Sequence, residues 1–150
     1  MDSIDRKILA ELQTDGRLTV TDLAGRVGLS VSPCHRRLRE LERSGTIRGY
    51  RALVDPAAVG LTFEALLFVT MRQEDRDTLL GFEAAVARVP NVVQAQRLFG
   101  DPDYLLRIVT ADLGAYQRLE DDVLATLPGV QRLTSTLVMK NVVSERPLPA

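Results

Sequence analysis

The sequence predicts an α+β protein: an N-terminal helix-turn-helix domain with a short wing, then an antiparallel sheet carrying two helices on one face. Three observations lead there. The stretch LSVSPCHRRLRELERSGTIRGY, Leu29 to Tyr50, has helical periodicity with an arginine-rich side, and a second short helical pattern precedes it across a glycine. From Thr62 onward, alternating apolar runs are interleaved with two helical patterns. Finally, Val89-Pro90-Asn91-Val92 is echoed 38 positions later by Leu127-Pro128-Gly129-Val130, each where helical spacing gives way to a strand. Two βαβ-like halves make a βαββαβ domain of ferredoxin-like or ACT-like type.

Composition narrows the function classes. In 150 residues, 45% are hydrophobic and 26% charged, which is ordinary for a globular protein. No apolar run reaches membrane-span length, and Met1-Asp2-Ser3 does not open a signal peptide. One cysteine without a disulfide partner suits a reducing cytoplasm. A single His and a single Cys cannot build a structural zinc site, no carboxylate cluster has metal-ligand spacing, and no phosphate-binding glycine loop is present. No metal or cofactor is expected, and catalysis is poorly supplied. The net charge of −1 hides an asymmetry. Residues 1–60 hold ten Lys/Arg against eight Asp/Glu, whereas residues 61–150 hold nine against twelve. Within 30–51 six arginines face only Glu40 and Glu42. Phosphate attraction acts within a Debye length of about 8–10 Å, so this local excess decides.

Ser30 is a good N-cap, Pro33 is tolerated in the first turn, and Gly45 closes the helix as a left-handed residue. Cys34, Leu38 and Leu41 fall on one side; Ser32, His35, Arg36, Arg39 and Arg43 gather on the other. A helix of this kind is held by its back while its front enters a DNA major groove. The plainer alternative is a solvated charged face. The neighbours favour DNA. Ile4, Ile8, Leu9 and Leu12 share an arc of a supporting helix that ends near Asp15-Gly16. Thr19-x-x-Asp22 reads as a capping box opening a second helix, with Leu23, Ala24 and Val27 inward and Gly28 ending it. Ser32, His35, Arg36 and Arg39 are the candidates for base or phosphate contact. Arg43, Arg48 and Arg51 suit phosphates, and Arg37, near the apolar edge, suits either role. His35 equally suits a solvated position beside Glu42 or Arg39, and Cys34 reads as a small buried hydrophobe. Thr46 to Val54 reads as an extended wing or linker strand.

The expected boundaries are 1–54 for the DNA-binding domain, 55–61 for a Pro/Gly-flanked hinge and 62–150 for the second domain. In the latter, strands are expected over Thr62–Arg72, Val92–Phe99, Tyr104–Thr110 and Val130–Val143. Helices carry Leu79, Phe82, Val86 and Val89, and Tyr116, Leu119, Val123, Leu124 and Leu127. Phe63, Ala65, Leu67, Val69 and Met71 line one face of the first strand, yet Leu66 and Phe68 lie on the other. In the final strand Leu133, Leu137 and Met139 oppose Val138 and Val142. This surplus suggests a second copy of the sheet in a symmetric dimer; crowded packing within one chain is the alternative. Gly100-Asp101-Pro102-Asp103-Tyr104 has the composition of a tight turn. It also offers Asp103 or Asp101 to an α-ammonium and backbone amides near Gly100 to a carboxylate, while Thr134 and Thr136 present hydroxyls on one face.

The run Asp5-Arg6-x-Ile8-Leu9, the segment LAGRVGLSVSPCHRRLRELERSGTIRGY and the later Gly100-Asp101-Pro102-Asp103-Tyr104 resemble the Lrp/AsnC transcriptional regulators, also called feast/famine regulatory proteins. The likeness spans essentially the whole chain, with similar motif order in both halves. It implies a winged-type helix-turn-helix reading operator DNA and a C-terminal effector and assembly domain. It also implies dimers that assemble further, often to octamers, and a response to an amino acid or related metabolite. Effector sites would lie between dimers, using the loop with Gly100, Asp101, Asp103 and Tyr104 and the final strand with Thr134 and Thr136. Two other functions share such a fold: tetrapyrrole decarboxylases of Lrp-like architecture, and metabolite sensors that do not bind DNA. With His35 placed on the DNA face, proton supply to a tetrapyrrole is poor, and the arginine face argues against the sensor.

Overall fold

The computed structural model describes residues 1–149, which form two compact units. One comprises residues up to Leu53 together with the tail from Val142; the other spans Val54–Asn141.

The first unit is built on three helices: α1 (Ser3–Thr14), α2 (Val20–Val27) and α3 (Val31–Arg43). Helix α1 begins in a full capping box. The Asp2 carboxylate accepts from the amides of Ile4 and Asp5, and the Asp5 carboxylate accepts from the Asp2 amide. The corresponding box expected at Thr19 is half formed. Its hydroxyl oxygen accepts from the Asp22 amide, but the Asp22 carboxylate takes the Thr19 hydroxyl proton instead of a backbone one. Gly28 closes α2 at φ 74°, and the Leu29 amide reaches back to the Ala24 carbonyl. Ser30 occupies the N-cap position of α3 without a side-chain cap bond. Gly45, also at φ 74°, ends the last turn, and its amide bonds to the Glu42 carbonyl. Ile8, Leu23, Ala24, Val27, Cys34 and Leu41 form the core between the three helices.

The segment after Gly45 corrects an expectation. Thr46–Val54 pairs in no ladder among the described residues, because no second strand lies beside it. It is anchored by side chains: the Tyr50 hydroxyl donates to Glu42 at 3.0 Å, and Arg51 pairs with Glu145 at 3.2 Å. The tail is a second correction. It groups with the helical unit and not with the sheet, and Leu148 exchanges two hydrogen bonds with the Gln13 side chain.

The second unit contains β1 (Phe63–Met71), α4 (Arg76–Val86), β2 (Val92–Arg97), β3 (Tyr104–Thr110), α5 (Leu113–Asp122) and β4 (Val130–Leu137). The expected hinge holds one 3₁₀ turn over Ala57–Val59. The four strands are antiparallel in the order β2-β3-β1-β4, which is the βαββαβ arrangement expected. Ala65, Leu67, Val69 and Met71 of β1 meet Leu106 and Ile108 of β3 and Phe82, Val86, Tyr116 and Leu124 in one core, so both helices cover the same face. The final strand stops at Leu137, short of the expected Val143: its register with β1 runs out at Ala65, leaving Met139 fully exposed. Likewise β2 ends at Arg97, where the chain turns toward the 98–103 loop. Leu66, Phe68 and Leu105 face away from the helices and lie outside the core cluster.

Candidate nucleic-acid interface and ligand-binding surfaces

Helix α3 is held from behind by Cys34 and Leu41, and burial pushes the Cys34 thiol above its ordinary pKa. Its front carries Ser32, His35, Arg36, Arg39 and Arg43, all exposed. The structure divides the arginines by what they touch. Arg43 is paired with Glu40 one turn back, with contacts of 2.9 and 2.6 Å, and the pairing holds the Glu40 carboxyl below its usual range. Arg39 lies 3.8 Å from Glu42. Arg51 is engaged by Glu145. Arg36, Arg48 and His35 have no hydrogen-bond or ion-pair partner among the described residues.

Arg37 behaves differently from the role expected of it. Its Nη1 donates to Asp2 at 2.7 Å and to Asp5 at 2.8 Å, fastening α3 to the first turn of α1. Both carboxyls are held below the ordinary 3.8, first by the amide bonds of the capping box and then by the Arg37 guanidinium. A guanidinium committed to two carboxylates is a structural clasp between α3 and α1. The spacing of Asp2 and Asp5 is that of a capping box, a local signal the sequence reading passed over, whereas the tie to position 37 has no local signal.

The 98–103 loop also departs from expectation. Asp103 is a fastener: its amide donates to the Val69 carbonyl, its carboxylate accepts from the Met71 amide at 2.7 Å, and its carbonyl accepts from the Leu98 amide. Tyr104 points into the core at 2% exposure, with its ring 4.6 Å from Phe82 and its hydroxyl donating to Glu83 at 2.8 Å. Burial, then the Glu83 carboxylate, pushes its pKa up to about 12. Tyr104 therefore cannot contact an effector outside the loop, because β3 begins at this residue and its inward register sends the ring under α4. Gly100, at φ 141°, and Asp101 stay exposed at the loop tip. Thr134 and Thr136 are exposed on the helix-free face of β4, opposite Phe68 and Leu66. The loop is fastened to the end of β1 through Asp103, and the two threonines lie on β4, which pairs with β1 along its other edge.

Two concavities lie on the helix side of the sheet unit. One, of about 350 Å³, is bordered by Arg72, Asp77, Thr78, Gly81 and Gly129. The other, of about 260 Å³, lies between α4 and β2 and contains Glu83, Arg97 and Tyr104. Neither set was singled out from the sequence. Among the described residues no group of His, Cys, Asp and Glu is arranged to hold a metal ion.

Two family models match the chain in succession. Residues 1–48 match the model of a winged helix-turn-helix DNA-binding domain, and residues 64–148 match that of the Lrp/AsnC ligand binding domain. The leucine-responsive regulatory protein of Escherichia coli strain K12 is 39% identical over 142 residues, covering 95% of this chain and 87% of that protein. Its namesake from Rhizobium meliloti is equally identical, with 91% of its length covered. Among solved structures, a transcriptional regulator from Neisseria meningitidis in complex with L-Met superposes with a TM-score of 0.94 at 40% identity, covering 99% of this chain and 96% of that one. An AsnC family transcriptional regulator from Agrobacterium tumefaciens gives 0.94 at 37% identity, covering 99% and 97%. With both halves matched in order and nearly full length shared, the chain belongs to the Lrp/AsnC family of transcriptional regulators.

Proposed function

We propose that α3 reads operator DNA, with Arg36 and Arg39 at base edges, Ser32 and His35 beside them, and Arg48, Arg51 and Arg43 at phosphates. The observation that carries this reading is the exposed, partner-free Arg36 on a helix whose other side is buried. Arg43 and Arg51 must exchange Glu40 and Glu145 for phosphate, which makes their contribution smaller. The protein acts as a homodimer joined through the helix-free faces of two sheets, where Leu66, Phe68 and Leu105 await cover, and such dimers assemble further. Its effector is an amino acid, as the L-Met complex of the Neisseria relative suggests. That effector binds between copies, at Gly100, Asp101, Thr134 and Thr136, all of which stand exposed in one subunit. The function is regulatory and not enzymatic: the sole histidine sits on the exposed side of α3.

Electrophoretic mobility shift with DNA from upstream of the protein's own gene tests the reading. Replacing Arg36 or Arg39 by Ala should cost about 1–3 kcal/mol on the preferred site and blur its sequence preference. Replacing Arg48 should weaken all DNA similarly and lower the salt slope by about one unit. Unchanged affinity in all three variants removes this face from DNA binding.

A further inference from the structure

The cavity between α4 and β2 joins core side chains to exposed ones that the DNA-binding reading does not use. Its walls are apolar and small where it opens, with Ala87 at the C-cap of α4 and Ala95 on the strand, and Phe82 and Val86 buried behind them. Its polar end is a carboxylate and a guanidinium that each retain unused capacity. Glu83 accepts from Tyr104 and from Nε and Nη2 of Arg97, and every one of these bonds falls on Oε1. Oε2 has no partner among the described residues. It is also open to solvent, because among the described residues no buried side-chain oxygen or nitrogen lacks a partner. The Arg97 guanidinium also faces the Tyr104 hydroxyl, and its Nη1 takes no part in the two bonds to Glu83.

We infer that this cavity is a binding site within one subunit for a free α-amino acid with an apolar side chain. The α-ammonium binds Oε2 of Glu83, the α-carboxylate binds Nη1 of Arg97, and the side chain lies between Ala87 and Ala95. Three features make the match specific. The acceptor and donor are held by each other and by the buried Tyr104 hydroxyl, so little ordering is left to be done on binding. Their opposite charges select a zwitterion over a simple acid or amine. A volume of about 260 Å³ lies just below the roughly 300–1,000 Å³ of sites for drug-sized ligands, which suits a smaller molecule. The site is separate from the inter-copy effector surface proposed above: Glu83 and Arg97 face the helix side of the sheet, whereas Thr134 and Thr136 face the other.

The test is calorimetric titration of the full-length protein with L-methionine and L-leucine, beside their deaminated acids and decarboxylated amines. Each titration is repeated on A95L, which fills the cavity from an exposed edge position, and on E83Q, which keeps the shape and removes the charge. The double variant D101A/T136V serves as the control for the inter-copy surface. The inference predicts a component that survives in D101A/T136V, is abolished in A95L and weakens about ten- to a hundredfold in E83Q. The acid and amine analogues should lose a similar factor in that component. Backbone amide shifts on L-methionine addition should centre on Ala95, Arg97 and Tyr104. The inference is overturned if A95L binds as the wild type does, or if D101A/T136V abolishes all binding; the inter-copy effector reading then stands. Absence of any amino-acid binding overturns both, and mobility shift with upstream DNA reports separately whether the DNA reading survives.

Discussion

Arg37 shows how much of a side chain's role depends on the carboxylates within its reach. Taken from the helix alone, it lies near the apolar edge and suits either base or phosphate contact; in the folded unit it spans Asp2 and Asp5. Replacing Arg37 by Ala should lower the melting temperature of the helical unit, since the pair with Asp5 is partly shielded while that with Asp2 is exposed. Thermal melts followed by circular dichroism measure it. The pH dependence has a definite sign. The folded-state pKa values of Asp2 and Asp5 lie below 3.8, so the unfolded chain takes up protons first as the medium acidifies. The contribution is whole above the ordinary value and is lost as pH falls through the depressed ones. R37A should therefore show a shallower loss of melting temperature below that value than the wild type does. Equal slopes would mean the clasp adds nothing.

At the scale of the element, two register shifts decide which side chains face the core. In β2 the pairing shifts between Val92 and Gln94, so Val92 lies opposite Ile108 while Ala95 and Arg97 lie opposite Leu106 and Tyr104. Strict alternation from Val92 would have turned Gln94 and Gln96 inward and Arg97 outward. That is why the Glu83–Arg97–Tyr104 group was hidden in the sequence. In β4 a shift between Val130 and Arg132 similarly brings Leu133 to the core side. Glycines provide a matched test of how tightly the elements meet. Gly129 has φ +75°, and a Cβ there would sit 2.4 Å from Thr78 Cγ2 and 2.9 Å from Met71 Cε. G129A should destabilise the sheet unit by about 2–4 kcal/mol through backbone strain and overpacking. Gly81, inside α4, has open space around it, so G81A should stabilise by about 0.5–1 kcal/mol. Opposite shifts in melting temperature are expected; shifts of the same sign would refute the packing at the β1–α4–β4 corner.

At the scale of the whole molecule, the sheet is finished on one side only. Its helix-free face carries Leu66, Phe68 and Leu105 half-buried, beside the Glu64–Arg107 ion pair at 2.6 Å. On the proposed assembly, a second sheet removes these side chains from water. F68R should therefore convert the dimer to monomers, read by size-exclusion chromatography with light scattering. The fold should survive, because Phe68 lies outside the core cluster of its own subunit. A dimer that persists in F68R would place the assembly surface elsewhere. Weaker operator binding should accompany dissociation, since a two-fold reader loses one half-site.

Periodicity and caps by themselves determined the helices, the four strands, the βαββαβ order and the exposed arginine face, because each rests on neighbours a few residues apart. The family likeness was carried by such local motifs too. Only the folded chain decided that Arg37 binds Asp2 and Asp5, that Asp103 fastens Met71, that Tyr104 is buried, and that the tail from Val142 joins the helical unit. These outcomes depend on which distant residues are brought within hydrogen-bond reach and on where a strand slips its register. Local spacing contains no term for either.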